Sequence, residues 1–212
     1  MSPTLAAGAR EMGVVLSEAQ LSQVAHYAAA LTKWNQRYNF ISRQDIGRLI
    51  PRHLLDSLSG LPYLEHGPVL DVGTGPGLPG ILLAIAQPEI EFVLCDRSER
   101  RIRFVQQMVQ QLELSNVQAE CADLADLQHD ACFQTVVARA LAPVEVLYAQ
   151  VHKFLCAQGW LLVYAQTGGS DPEEASHPDA VTRYHSVSIP GLAQRHRLVQ
   201  RFRRDPSLSG SG

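Results

Sequence analysis

The sequence predicts an α/β fold in which a mostly parallel sheet carries helices on both faces. Short apolar strands alternate with helical stretches between residues 68 and 165, a pattern typical of parallel sheets. A glycine-rich turn joins the first of these strands to a helix, as in nucleotide-binding folds of this class. The length of 212 residues, with 46% hydrophobic and 18% charged residues, suits one domain with a substantial core.

The N-terminal quarter of the chain is predicted to be helical. Ser17 and Gln20 form a capping box that begins a helix over residues 17–34. A second helix is expected over residues 45–58. Pro51 lies inside that stretch, so it should either kink the helix or mark its true start.

The remaining elements follow in alternation. Strands are predicted at 68–72, 91–95, 117–121, 133–138 and 160–165, and helices at 78–86, 98–114 and 142–157. Residues 181–189 and 198–202 are expected to close the sheet as an antiparallel pair. The chain is thus expected to form one unit with a helical extension (1–66), a main domain (67–206) and a flexible tail (207–212).

The turn after the first strand has the character of a ligand-binding loop. Gly73, Gly75 and Gly77 alternate there, and glycine permits positive φ and leaves no Cβ to block a ligand. The loop leads to a helix N-terminus, which can receive an anionic group. Together these features predict a Rossmann-like cofactor site at the carboxyl edge of the sheet. Because Gly75, Gly77 and Gly80 also match the dinucleotide fingerprint, the loop alone leaves the cofactor open.

Two acidic residues favour S-adenosylmethionine as the cofactor. Asp71 directly precedes the first glycine, where a carboxylate would repel a pyrophosphate but could accept hydrogen bonds from the donor ammonium, directly or through water. Asp96 ends the next strand and could accept the ribose hydroxyls of either cofactor. A nicotinamide cofactor is the alternative. The loop at 121–126 is expected beside the adenine, although Asp123 and Asp126 could instead cap a turn.

The charge distribution leaves the partner open. A net charge of −3 does not by itself indicate a nucleic-acid binder. Two basic sets, residues 195–204 and an N-terminal group, would form a phosphate-binding surface if the fold joins them. The N-terminal group comprises Lys33, Arg37, Arg43, Arg48 and Arg52. The alternation of Arg201, Phe202 and Arg203 is also typical of the charged face of an edge strand.

Neither membrane insertion nor metal binding is indicated. No apolar run approaches the ~20 residues that span a bilayer, and the N-terminus lacks a secretory pattern, so a cytoplasmic protein is expected. The four cysteines show no metal-ligand spacing, so we expect no metal site. We interpret them as small buried hydrophobes in a reducing compartment: Cys95, Cys121, Cys132 and Cys156.

Four motifs resemble one bacterial family. The sequences DVGTGPGLPG (71–80), RHLLDS (52–57), YNFIS (38–42) and ARA (138–140) are similar to those of the RsmG proteins, formerly called glucose-inhibited division protein B. The resemblance covers about residues 21–165. It implies a class I S-adenosylmethionine-dependent methyltransferase fold with a mostly parallel seven-stranded sheet. It also implies methylation of N7 of the guanine at position 527 in 16S ribosomal RNA, with the small ribosomal subunit as partner.

The resemblance also implies site residues. The donor pocket would contain Gly73, Leu78, the backbone of Leu124 and Ala125, and Arg139, with Asp96 at the ribose. Ala125 stands where the family has an acidic residue, and Thr167 stands where it usually has a lysine. We expect a monomer. The alternatives are a methyltransferase of another RNA or a small molecule, or a nicotinamide-dependent oxidoreductase.

Arg139 is the predicted catalytic residue. It ends the fourth strand in apolar surroundings, so its charge needs a partner. The partner could be structural, namely Asp56 or Asp71. It could equally be functional: guanine O6, an RNA phosphate or the cofactor carboxylate. Its position at the carboxyl end of the sheet favours a functional role.

Three further side chains in the N-terminal part have competing interpretations. His53 is expected to be a hydrogen-bonded partner of Asp56, one helical turn further on. Tyr38 and Phe40 could stack on a splayed base, but aromatic residues between helices more often belong to the core. We favour the core for both.

Overall fold

The computed structural model of this chain describes residues 4–139, 143–165, 180–193 and 196–203, without the side chains at 180–181, 196–197 and 202–203. The described α-helices are Leu5–Glu11 (α1), Glu18–Tyr38 (α2), Asp56–Leu58 (α3), Gly80–Ala86 (α4), Glu99–Gln111 (α5) and Val144–Val151 (α6). The described strands are Val69–Val72 (β1), Phe92–Asp96 (β2), Val117–Cys121 (β3), Phe133–Arg139 (β4), Leu155–Ala165 (β5), Ala180–Val187 (β6) and His196–Arg203 (β7).

The strands form one seven-stranded sheet in the order β3-β2-β1-β4-β5-β7-β6. The first five are parallel, and β7 is antiparallel to both β5 and β6. The predicted mostly parallel α/β fold is therefore confirmed. The strand order reverses between β1 and β4, which makes the carboxyl ends of these two strands the expected ligand crevice.

Two hydrophobic clusters cover the two faces of the sheet. Successive strand residues point to opposite faces, so Val69 joins one cluster and Leu70 the other. The first cluster contains the buried sides of α2, α4 and α5, and the second contains those of α6. The N-terminal helices thus share a core with the sheet.

The first N-terminal helices comprise one that was predicted and one that was not. The capping box of Ser17 and Gln20 is present, and α2 ends at Tyr38. The sequence analysis did not predict α1, which is capped by the side chain of Thr4. This short helix packs so closely that a Cβ on Gly8 would lie 2.5 Å from Leu55 Cδ1.

The helix predicted over residues 45–58 is broken into three parts. A 3₁₀ helix covers Arg43–Arg48, a π-helical segment covers Ile50–Leu55, and α3 follows. The predicted irregularity at Pro51 is confirmed. Proline has no backbone N–H to donate to the preceding turn, so the regular α-helical pattern cannot run through it.

The boundary between α6 and β5 was predicted wrongly. The helix expected over 142–157 ends at Val151, and β5 begins at Leu155. Leu155 pairs with Phe133 across the sheet, and the register shifts beyond that pair. Gly159 permits this irregularity, because a Cβ there would lie 3.1 Å from the Phe133 carbonyl oxygen. A pairing partner distant in sequence therefore overrides the local helical pattern.

The edge-strand interpretation of residues 195–204 is also wrong. β7 lies between β5 and β6, so β6 forms the edge. Arg201 is 2% exposed, with its guanidinium carbon 4.6 Å from the ring centroid of Tyr148. Arg195 and Arg204 lie outside the described residues.

The cysteines only partly match their interpretation as buried hydrophobes. Cys95 is buried as expected, but Cys121 is exposed. Cys132 and Cys156 form a disulfide, because the pairing of β4 with the start of β5 brings their Cα atoms to 4.8 Å. In the described part of the chain, no cluster of three or more His, Cys, Asp or Glu side chains could hold a metal ion.

Some predictions fall on residues that the structure does not describe. These include the segment 166–179 with Thr167, and the tail 207–212. Within the described ranges, no helix combines the length and apolar character needed to cross a membrane.

Candidate active site

The glycine loop after β1 has the predicted left-handed conformation. The φ angles of Gly73, Gly75 and Gly77 are 65°, 59° and 96°. Side chains rarely tolerate this region, which explains the glycine at each position. The Thr74 N–H donates to the Cys95 carbonyl (3.0 Å), so the loop is tied to the end of β2.

Asp71 fixes the glycine loop through two hydrogen bonds. Its Oδ2 accepts hydrogen bonds from the Thr74 hydroxyl (2.6 Å) and the Gly80 N–H (2.8 Å). Its Oδ1 is buried and has no hydrogen-bond partner among the described residues. The structure thus gives Asp71 a role in shaping the loop. Its contact with the donor ammonium stays a prediction. Oδ1 is the atom that is available to accept that hydrogen bond.

A cavity of about 400 Å³ opens beside the loop. Its volume falls in the range of small-molecule sites. The lining residues come from the ends of β1, β2 and β3, from the first turn of α5 and from α6: Val72, Gly73, Cys95, Asp96, Arg97, Arg101, Ala122, Asp123, Leu124, Leu147 and Gln150. Three of the predicted donor-binding residues, Gly73, Asp96 and Leu124, therefore meet in one cavity. The others do not line it: Asp71, Gly75, Gly77, Leu78, Ala125 and Arg139.

Asp96 connects the glycine loop to the start of α5. Its Oδ2 accepts from the Gly75 N–H (3.0 Å) and from Arg101 Nη1 (3.2 Å), and its Oδ1 accepts from the Ser98 N–H (2.8 Å). Arg97 and Arg101 in the cavity wall were missed by the sequence analysis. Their position directly after a strand that ends in the crevice could have indicated them.

The loop after β3 contributes a third wall. Asp123 Oδ1 accepts a hydrogen bond from the Ala125 N–H (3.1 Å). The Asp123 carbonyl accepts from the N–H groups of Asp126 and Leu127 (both 3.0 Å). Asp123 thus caps a turn, one of the two interpretations that the sequence left open, and the same turn brings Leu124 to the cavity. A position beside the adenine stays a prediction.

Arg139 lies at the carboxyl end of β4, where it meets the N-terminal part. Its Nη1 is 3.7 Å from Asp56 Oδ2 and 3.4 Å from His53 Nδ1. Of its two expected structural partners, Asp56 is the one in contact. The side chain is 19% exposed, so part of it still faces solvent. A role toward the substrate stays a prediction.

His53 lies between Arg139 and a second acid, Asp45. Because Nδ1 faces an arginine N–H, it must accept, and the ring proton belongs on Nε2. Nε2 is 3.7 Å from Asp45 Oδ2 and is buried without a hydrogen bond. Burial, reinforced by Arg139, lowers the pKa of His53 to about 4, although Asp45 and Asp56 oppose the shift. The ring is therefore neutral at neutral pH.

The aromatic residues at the end of α2 form a cluster with α5. Phe40 stacks on Tyr38 (5.7 Å between ring centroids) and on Trp34 (6.2 Å), and Phe40 and Trp34 both contact Phe104. The core interpretation is confirmed for Phe40, which packs against the main hydrophobic cluster. Tyr38 is half-buried, as Phe40 is, but is not among the residues packed against that cluster, so its core interpretation stays a prediction.

The shifted pKa values of Asp71 and His53 should make the stability of the protein depend on pH in opposite directions. Burial raises the pKa of Asp71 to about 6. The folded chain thus holds this proton more tightly, and the stability it contributes below about pH 4 is lost as pH rises through about 6. For His53 the sign reverses, because its folded pKa is depressed. Its contribution is present above about pH 6.5 and is lost as pH falls through about 4.

We therefore expect Asp71 and His53 to contribute opposite slopes to the plot of the wild-type free energy of unfolding against pH. Between pH 4 and 6, the free energy of unfolding of Asp71→Asn should rise more steeply with pH than that of the wild type. Over the same range, the slope for His53→Asn should be lower than that of the wild type. Urea denaturation at pH 4, 5 and 6 measures both. Parallel curves for all three proteins would contradict the assigned protonation states.

Comparison with known proteins is consistent with this geometry. A family model described as rRNA small subunit methyltransferase G matches residues 20–199. The Ribosomal RNA small subunit methyltransferase G of Idiomarina loihiensis is 37% identical over 192 residues, covering 87% of this chain and 90% of that protein. The protein of the same name from Coxiella burnetii is 34% identical over 201 residues, covering 94% and 97%.

Solved structures support the fold. The O-methyltransferase TomG from Streptomyces achromogenes, solved in complex with SAM, has a TM-score of 0.59 at 15% identity, covering 91% of this chain and 92% of that chain. The S-adenosylmethionine-dependent methyltransferase SibL has a TM-score of 0.55 at 16% identity, covering 82% and 57%. These likenesses confirm the predicted class I methyltransferase fold.

Proposed function

The chain belongs to the family of ribosomal RNA small subunit methyltransferases G, and from this we propose that it methylates N7 of a guanine in 16S ribosomal RNA, with S-adenosylmethionine as donor. By family resemblance the guanine is that at position 527. The observation that carries the proposal is the convergence of Gly73, Asp96 and Leu124 on one cavity at the switch point of the sheet.

The residues present fit the donor. Gly73 in the left-handed conformation lets a ligand lie against the backbone, and Asp71 Oδ1 is a buried acceptor that lacks a partner within the described residues. Asp96 offers a carboxylate for the ribose hydroxyls, and Ala122 and Leu124 offer apolar surface for the adenine. When bound, S-adenosylmethionine supplies a methyl group on a sulfonium, which is electrophilic without further activation.

The chemistry at N7 requires little from the protein beyond alignment. Guanine N7 already carries a lone pair, so no base has to remove a proton before attack. His53 is consistent with this, because its low pKa keeps it neutral and its Nδ1 is engaged by Arg139. Arg139 supplies a positive charge near the reaction and could donate to guanine O6 or to a phosphate. The sequence carries Arg139 where methyltransferases of exocyclic amines have an Asn/Asp-Pro-Pro-Tyr motif.

The proposed substrate also determines where in the cell the reaction would take place. A 16S RNA modification would take place on the RNA or on the small ribosomal subunit, in the cytoplasm. We propose that the chain acts there as a monomer, since one chain holds both the cavity and Arg139.

The test is a methylation assay with mapping. The purified protein is incubated with labelled S-adenosylmethionine and small subunits from a strain that lacks this modification. We expect label at a single guanine N7 in 16S RNA. Tight donor binding without label would reject this substrate and point to another RNA or a small molecule, and quenching of tryptophan fluorescence by NADH alone would favour an oxidoreductase.

A further inference from the structure

The half-buried ring of Tyr38 contacts two arginines from different helices. The guanidinium carbons of Arg37 and Arg100 lie 5.5 and 5.3 Å from the ring centroid of Tyr38. Arg37 belongs to the last turn of α2 and Arg100 to the first turn of α5. We call this group the Tyr38 platform. Both arginines are exposed, and each contacts the ring at a distance typical of cation–π pairs.

The two charges of the platform are not neutralised by the protein. Within the described ranges neither Arg37 nor Arg100 has a carboxylate oxygen within 4 Å. Six other described arginines do have such a partner: Arg48, Arg52, Arg101, Arg103, Arg139 and Arg201. Two like charges on one ring repel each other, so an anion between them would be favoured.

The platform is held in place before any partner binds. The Asn35 side chain donates to the Ile41 carbonyl (3.1 Å) and accepts from the Ile41 N–H (2.8 Å), which fixes the turn after α2. Tyr38 is stacked on Phe40 behind that turn. Because the ring that orients the arginines is packed, little conformational entropy remains to be lost on binding.

The platform lies next to the donor cavity. Arg101, which directly follows Arg100 in α5, lines that cavity, as does Arg97 three residues before Arg100. Three helical turns before Tyr38 in α2, the Tyr27 hydroxyl donates to the Pro76 carbonyl in the glycine loop (2.9 Å). A strand bound at the platform would therefore lie on the two helices, α2 and α5, that contact the glycine loop and the donor cavity.

We propose that the Tyr38 platform binds phosphates of the ribosomal RNA strand that enters the active site. This rests on the proposed function and names the surface that its RNA substrate would use. Guanidinium groups donate two parallel hydrogen bonds to a phosphate, and a neighbouring half-buried aromatic ring suits contact with a base or ribose. Arg37 and Arg100 supply the guanidinium groups, which stay charged at all working pH values, and Tyr38 supplies the ring.

The test is the double variant Arg37→Ala/Arg100→Ala. We expect the KM for unmodified small subunits and the Kd for subunit binding to rise about tenfold, as for the loss of phosphate contacts. The slope of log affinity against log salt should fall by about one to two units. The donor affinity should stay that of the wild type, which also verifies that the variant is folded.

The matched control is Lys153→Ala/Arg183→Ala. These cations also lie over aromatic rings, Phe154 (4.7 Å) and Trp160 (4.9 Å), and removing them changes the net charge equally. They lie near the amino ends of β4 and β5, away from the cavity. We expect wild-type subunit affinity and salt dependence for this control.

Two results would overturn the proposal. The first is equal subunit affinity in the platform variant and the control. The second is weakened binding with an unchanged salt slope, which would indicate contact with a ribosomal protein and not with phosphate. Because subunit binding is measured separately from methyl transfer, a wild-type protein that binds subunits without methylating them would contradict the proposed function alone.

Discussion

Replacing Arg139 by alanine is expected to lower the single-turnover rate of methyl transfer about tenfold or more. The residue lies at the carboxyl end of β4, at the switch point of the sheet, and 19% of its side chain remains exposed. A fixed positive charge there can orient guanine O6 or a phosphate as the methyl group moves to N7. Single-turnover kinetics with saturating donor measure the effect without contributions from product release.

The stability of this variant needs a separate control, because Arg139 also pairs with Asp56. Losing the cation beside a largely buried carboxylate is destabilising. Arg139→Lys keeps a charge at the position but lacks the planar fork of guanidinium. We expect Arg139→Lys to recover most of the melting temperature but little of the rate. A folded Arg139→Ala protein with the wild-type single-turnover rate would refute the catalytic role.

Replacing Gly80 by alanine is expected to weaken donor binding about tenfold or more and to destabilise the fold. An added Cβ would lie 2.5 Å from Asp71 Oδ2 and 2.7 Å from Leu94 Cγ, both in the interior. Overpacking of this kind costs about 1–3 kcal/mol. Since the Gly80 N–H also donates to Asp71, the strain passes directly to the glycine loop. Isothermal titration with the donor and urea denaturation measure the two effects.

Two other glycines provide matched controls for this substitution. Gly47 has open space where a Cβ would be added and no positive φ, so Gly47→Ala should leave donor binding unchanged. Gly75 also has open space where a Cβ would be added, but its φ is 59°. Gly75→Ala therefore introduces backbone strain without a steric conflict, and so shows the effect of strain alone. Wild-type donor affinity in Gly80→Ala would show that the Asp71–Gly80 hydrogen bond does not determine the shape of the loop.

Several features of this protein could be read from neighbouring residues alone. The capping box of Ser17 and Gln20 is a contact within one helical turn, so its signal is local. The left-handed glycines after β1 were predictable because each requires a residue type that tolerates positive φ. The alternation of strands and helices likewise predicts a parallel sheet, and it indicated that the loop after Asp71 and the side chain of Asp96 lie at one edge of that sheet. Leu124 entered the predicted donor pocket through the family resemblance.

Other features depended on pairings between distant parts of the chain. The start of β5 was missed because Leu155 belongs to a strand only through its partner Phe133. The disulfide of Cys132 and Cys156 follows from that same pairing. β7 has the sequence pattern of an edge strand, but the insertion between β5 and β6 gives it a neighbour on each side.

The sequence by itself determined the fold class, the donor loop and the family, because these depend on residue types at short and fixed spacings. The tertiary structure decided which charges meet. The sequence allowed Asp56 or Asp71 as the partner of Arg139, and only the packing of the N-terminal part against β4 selected Asp56. His53 and Arg139 are 86 positions apart in the chain, a distance over which no local pattern carries information. Such contacts arise when the shared hydrophobic core forms and fixes the two segments relative to each other.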